Sequence, residues 1–261
     1  MITLRSTALD LLLLTDPDEK SRRTRGLDTS LPVGADGDIP QRGTVPGRPA
    51  RPLLVPHTSL TRRSAHTREG RAALLHALAH IEQNAVDLAL DVCWRFAGLP
   101  DDFYRQWMGV AREEALHFEL LRDHLATLGC RYGDLPAHNA LWEMAQRTQH
   151  DLLARLALVP RTAEARGLDA SPPIRAKLAA AGDETGAAIL DVILRDEIGH
   201  VAIGNRWYNW LCARRGLDPV ATYAQLAQQY GAPRLRGPFN VVARLAAGFT
   251  PEELDLLARA G

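Results

Sequence analysis

Two stretches, Glu113-Glu114-Ala115-Leu116-His117 and Asp196-Glu197-Ile198-Gly199-His200, decide how this chain reads. Each is an acid followed by Glu-x-x-His. Residues three apart share one face of a helix, so each Glu-His pair can present two donor groups side by side. Each pair also interrupts an apolar stripe. The first stripe runs Phe103, Trp107, Val110, Ala111, Glu114, His117, Phe118, Leu121, Leu125. The second runs Ile189, Leu190, Ile193, Glu197, His200, Val201, Trp207, Tyr208, Leu211. A third stripe, Leu75, Leu78, Ala79, Glu82, Ala85, Val86, Ala89, carries one more acid. An ionised carboxylate in an apolar core is costly unless it is paired or bound to metal. Acids placed there by three helices are expected to meet, and their mutual repulsion calls for a cation between them.

A single Glu-x-x-His is weak, because such pairs are common on solvated helix faces. Two in matched stripes, each with a Glu some 32 residues upstream (Glu82 and Glu164), are more specific. The competing reading is a set of buried salt bridges with no metal. Glu82 and Glu114 lie about 15 and about 12 helical residues from the turn at Pro100, so at ~1.5 Å per residue they reach similar heights. That is the arrangement of a di-metal carboxylate bundle, with Glu from two helices and Glu-x-x-His from the other two. The fourth carboxylate is less tidy. Gly167 puts Glu164 near a helix end, and Asp151 or Glu143 are alternatives.

Outward from these stretches the chain reads as helix throughout. Arg71 to Ala97 has three- and four-residue apolar spacing and no proline. Gly98-Leu99-Pro100 stops it, and Asp101 or Asp102 can cap a second helix that runs to about Leu128. A third is expected over Ala140 to Arg166, bent at Pro160. Gly167, Pro172 and Pro173 are expected to break the chain. A short helix around Arg175 to Ala181 and a long one from about Asp183 to Arg214 follow. Thr250-Pro251-Glu252-Glu253 has the residues of a capping box. No alternating strand pattern of useful length occurs. The expected class is all-α.

Residues 1–66 differ. A short helix over Thr7 to Leu14 gives way to a stretch dense in Pro and Gly, which excludes long regular elements. The first 70 residues carry 11 Lys/Arg and 8 Asp/Glu, a small basic surplus. We read 1–66 as an arm, mostly irregular, and 67–261 as the helical domain. Composition narrows the class. The 261 residues are 46% apolar, and 31 Lys/Arg balance 31 Asp/Glu, which points to neither nucleic acid nor membrane. Cys93, Cys130 and Cys212 form no CxxC pair, which fits a reducing compartment. The run Leu11 to Leu14 is too short and too charged at its flanks for a signal peptide or a spanning helix. A cytoplasmic protein is expected. His76, His80 and His150 are expected to be ordinary helix residues, and Trp107, Trp207 and Tyr208 packing residues.

Five segments carry a resemblance: His76-Ala-Leu-Ala-His80-Ile-Glu82; Glu113-Glu-Ala-Leu-His117-Phe; Pro160-Arg-Thr-Ala-Glu164-Ala-Arg-Gly-Leu-Asp169; Asp196-Glu-Ile-Gly-His200-Val-Ala-Ile-Gly-Asn-Arg-Trp207; and Leu235-Arg-Gly-Pro-Phe-Asn240. They resemble the ferritin-like di-iron carboxylate superfamily and, more narrowly, a bacterial family known only as a ferritin-like domain of unknown function. A more distant similarity is to the di-iron tRNA hydroxylase, whose Glu-Ala-Arg motif looks like Glu164-Ala-Arg166. The resemblance implies a ferritin-like four-helix bundle with extra helices. It supports Glu164 as the fourth carboxylate. It implies two irons, with manganese as an alternative, bridged by Glu114 and Glu197 and held terminally by Glu82, Glu164, His117 and His200. It further implies a crossed outer layer, with Asp196 on His117 and Glu113 on His200.

Three functions fit. The first is an oxidoreductase, a hydroxylase or oxidase, using O2 as co-substrate with a small organic substrate and an electron donor. The second is a ferroxidase or iron-handling protein; the length and the arm count against a storage cage and favour a monomer or dimer. The third is a tRNA-modifying hydroxylase, for which Arg22, Arg23, Arg25, Arg62 and Arg63 are the candidate phosphate contacts.

Overall fold

A computed structural model describes residues 2–61 and 63–260, the last without its side chain. The chain is all helical; among the described residues the only β pairing is an isolated bridge between Leu54 and Ala137. None of the described helices is long and apolar enough to cross a membrane. The chain divides into two compact units, Met1–Trp142 with Leu178–Ile189, and Glu143–Lys177 with Leu190–Gly261.

The first unit is built on α3 (Arg68–Arg95) and α4 (Asp101–Thr127), which pack along their length. Thr67 caps α3 by accepting from the Gly70 N–H at 3.0 Å. Gly98, at φ +75°, makes the turn between them, which suits a residue with no Cβ. The expected cap by Asp101 or Asp102 is not seen: Pro100 is the N-cap of α4, and the two acids fill the first turn, where they face the positive end of the helix dipole.

Two shorter helices, α1 (Leu4–Leu12) and α2 (Pro17–Arg25), lie on α3 and α4 respectively. The expected helix at 7–14 starts earlier, because Thr3 and Ser6 form a capping box. The second was not expected; Asp16 caps it and Pro17 starts it. Arg5 anchors this arm. It is 1% exposed, and it donates to the carbonyls of Cys93 (3.1 Å) and Trp94 (2.7 Å) at the end of α3, and to Gly34 (3.0 Å) and Ala35 (3.1 Å). One guanidinium thus satisfies helix-end carbonyls that have no partner within their own helix. The first unit also holds the start of α8 (Glu184–Arg215). Asp183 caps it through Gly186 N–H at 2.9 Å and accepts from His124 of α4 at 2.8 Å.

The second unit contains α5 (Ala140–Arg147, from Glu143 on), α6 (Leu152–Leu158), a π-helical stretch Val159–Glu164, most of α7 (Ala165–Ala180) and the rest of α8. It also holds α9 (Pro219–Gln229), α10 (Val241–Ala246) and α11 (Pro251–Ala260). The capping box at Thr250 and Glu253 is present, with reciprocal bonds of 2.8 and 3.2 Å. The expected single helix over 140–166 is a correction: α5 ends at Arg147 and Asp151 starts α6 afresh. The expected break at Gly167, Pro172 and Pro173 is another, since α7 runs through all three. A proline removes the donor that its i−4 carbonyl needs. Here Asn240 Nδ2 donates to the carbonyl of Leu168, four residues before Pro172, at 3.1 Å. The side chain that repairs the ladder is in the loop before α10. The core of this unit joins Ala165, Leu168, Val201, Ala243, Ala247, Phe249 and Leu254.

Candidate metal centre

In the first unit, α3 brings Glu82 and α4 brings Glu114 and His117 to one place. All three are buried, at 4%, 0% and 0% exposure, and donor atoms from them lie within 4.8 Å of one another. His117 Nδ1 stands 3.3 Å from Glu114 Oε2 and 3.4 Å from Glu82 Oε2. Two carboxylates therefore share one imidazole. Burial, then the charge of Glu114, pushes the Glu82 carboxyl up to about 8, although His117 works the other way. Burial opposes a charge on His117, but the bonds and charges of Glu114 and Glu82 outweigh it and hold the ring up to about 12. Glu82 Oε2 makes no hydrogen bond among the described residues. A buried carboxylate oxygen without such a bond needs a cation or a proton. Carboxylate and imidazole donors, with no thiolate, fit a divalent iron or manganese ion. These three residues could hold a metal ion.

In the second unit, α8 carries the other Glu-x-x-His. Glu197 and His200 are buried, and His200 Nδ1 lies 3.9 Å from Glu197 Oε2. Glu164 is half-buried, the last residue of the π-helical stretch. That stretch lies close against α8. A Cβ on Gly204 would come 2.5 Å from Pro160 Cβ, so only glycine allows the approach, one turn beyond His200. Arg161 of the stretch donates to Asn205 Oδ1 at 2.7 Å. π-bulges of this sort occur often at functional sites.

The alternatives to Glu164 are weakened. Asp151 uses its carboxylate to cap α6, accepting from Leu153 and Ala154 N–H at 2.9 and 3.3 Å. Glu143 is exposed. Of the expected outer residues, Asp196 pairs with Arg195 at 2.7 Å and Glu113 is exposed.

Sequence reasoning missed Asp169, Arg244 and Arg161. Arg244 forms a two-pronged pair with Asp169 at 3.0 and 2.6 Å, and Asn240 N–H donates to Asp169 at 2.8 Å. These bonds tie the end of the segment 160–169 to Asn240 and the start of α10. Neither spacing nor periodicity signals them.

His76 and His80 play packing roles, as expected. His76 accepts from Gly133 N–H at 3.0 Å, and His80 Nδ1 meets Tyr132 Oη at 2.8 Å. Burial depresses them to about 4 and about 3, so both rings are neutral. Of the arginines considered for phosphate contact, Arg22 and Arg23 pair with Glu19 and Arg25 pairs with Glu119 at 2.6 Å. Arg63 is exposed, and Arg62 lies outside the described residues.

A family model described as a protein of unknown function (DUF455) matches residues 13–255. An uncharacterized protein of Haemophilus influenzae (strain ATCC 51907 / DSM 11121 / KW20 / Rd) is 46% identical over 258 residues, which cover 94% of this chain and 90% of that protein. No solved structure matches the chain. The chain belongs to the DUF455 family, and the matched residues include Glu82, Glu114, His117, Glu164, Glu197 and His200.

Proposed function

We propose that this protein is a ferritin-like di-metal carboxylate oxidoreductase that uses O2 on a small organic substrate. Glu82, Glu114, His117 and Glu197, buried donors of the kind that could hold a metal ion, are joined in this reading by Glu164 and His200. The observation that carries it is Glu82: an acid in a dry interior beside a second acid, the two sharing one imidazole that stands 3.4 Å from Glu82 Oε2. The matched Glu-x-x-His pairs support two metals rather than one.

When bound, a pair of irons would supply the electrons and the open coordination positions for reaction with O2. The chain's own part is different. Trp107, Phe118 and Leu121, all nearly inaccessible, are carried by the same helix as Glu114 and His117 and make its buried face apolar. Glu82 holds a proton until a cation displaces it, so loading releases protons. The proposed crossed contacts, Asp196 to His117 and Glu113 to His200, would fix the ring orientations.

The test is anaerobic loading with ferrous iron, followed by O2 and an absorbance record. Two irons per chain and an O2-dependent band are expected; fewer than one iron per chain removes the basis of the reading. A particle of storage-cage size in gel filtration would favour the iron-handling alternative.

Stability without metal should fall as pH rises. Glu82 holds its proton to about 8 when folded, against 4.5 ordinarily, so the folded state binds the extra proton between those values. His117 adds stability that is complete below 6.5 and fades toward about 12. Both trends have the same sign. Metal-free protein should melt about 5 °C lower at pH 8.5 than at pH 6, and metal-free Glu82→Gln should show a shallower slope. Equal slopes in the two proteins would refute this.

A further inference from the structure

The second unit has a cavity of about 280 Å³ walled by Val220, Tyr223, Leu235, Phe249 and Leu257. By volume it holds roughly nine waters, or a ligand of on the order of ten non-hydrogen atoms. Leu256 on its wall is 43% exposed.

Two arginines in this wall are nearly inaccessible, Arg161 at 3% and Arg244 at 0%. Both guanidinium groups lie against the same Phe249 ring, 4.8 and 5.2 Å from its centre. Each has partners: Asn205 and Glu253 for Arg161, Asp169 and the Ala165 carbonyl for Arg244. Each also has a donor left over. Arg161 Nε and one terminal nitrogen of Arg244 make no hydrogen bond among the described residues. The accessible wall is thus almost wholly apolar, and the two guanidinium groups behind it, each paired with a carboxylate, keep one unbonded nitrogen apiece. Glu253 is its one carboxylate, and the Tyr223 hydroxyl is engaged with Thr162 at 3.0 Å. An occupant must bring the acceptor atoms, and a guanidinium is matched by the oxygens of a carboxylate.

We infer that this cavity binds a small monocarboxylic acid with an apolar body, its carboxylate toward Arg161 and Arg244 and its hydrocarbon along Tyr223, Leu235 and Leu257. The inference is independent of the metal reading, since every residue it uses lies outside the donor set.

Calorimetric titration of the full-length protein with octanoate, 1-octanol and octylamine tests it. Octanoate is expected to bind at least about tenfold more tightly than octanol, and octylamine not at all. Ala224→Phe places a ring in the cavity from an exposed, tolerant position. It should weaken octanoate about tenfold or more, with metal content and helicity unchanged; Val220→Trp should do the same. Equal affinity for octanoate and octanol, no binding of octanoate, or binding undiminished in both variants would overturn the assignment.

Discussion

Glu114→Gln is expected to retain less than about a tenth of the metal bound by the unaltered chain and, stripped of metal, to melt several degrees higher than the stripped unaltered chain. The two halves of this result have one cause. Glu114 is wholly buried beside Glu82, and the pair shares a single imidazolium. Without a cation, Glu82 must take up a proton, or the trio would carry more negative than positive charge in a medium that solvates neither well. The amide keeps the volume of the carboxylate and removes the need for that proton. Glu82 and His117 are then left as a balanced pair 3.4 Å apart. Relief of this kind is worth about 1–3 kcal/mol, which at this chain length is ~2–4 °C per kcal/mol. A metal-bridging role predicts the opposite for the loaded protein, because a neutral amide is a poor replacement for a charged oxygen ligand. Metal analysis and calorimetry, each with and without chelator, separate the cases. If Glu114 were only the structural partner of His117, the stripped variant would melt lower, and that outcome would falsify the metal reading.

This duality explains why the first half of the centre was legible in the sequence. An acid is conspicuous where it costs stability, and Glu82 and Glu114 interrupt apolar stripes on helices with no proline inside and a Gly-Leu-Pro stop between them. Register on a regular helix then brings His117 to the same face. Residues 140–180 were opaque for the converse reason. Their course depends on partners far away in sequence. The Asn240 amide makes Pro172 tolerable in mid-helix, and the bare Cα of Gly204 admits Pro160 against α8. Local propensity predicts breaks at these prolines, and tertiary bonds override it. Asp151 looked like a free acid until it proved to be a helix cap. Arg5 was invisible for a related reason: its partners are carbonyls, which every residue has, so no side-chain pattern marks them.

Lys20→Met is the second large effect, a loss of about 3–5 kcal/mol. Lys20 of α2 and Asp87 of α3 form an ion pair 2.6 Å long, with side chains only 2% and 4% exposed, and the ammonium also donates to the Gly47 carbonyl at 2.9 Å. Burial raises the Asp87 carboxyl, and Lys20 is the chief influence against it. Methionine fills much of the same space, so the loss comes from stranding a charge rather than from a void. The double change Lys20→Met with Asp87→Leu strands nothing and should recover more than half of the loss, a coupling that urea titration of the four proteins measures. A single Lys20→Met change costing less than about 1 kcal/mol, or a double change costing as much as the single, would show that the pair is incidental. The expected result has a structural consequence. Lys20, Gly47 and Asp87 tie α2, the Pro/Gly-rich loop and α3 at one point, five residues past Glu82. The residues that composition sets apart as an arm are therefore held to α3 by a bond whose rupture leaves a buried carboxylate unpaired, and they belong energetically to the unit that carries Glu82, Glu114 and His117.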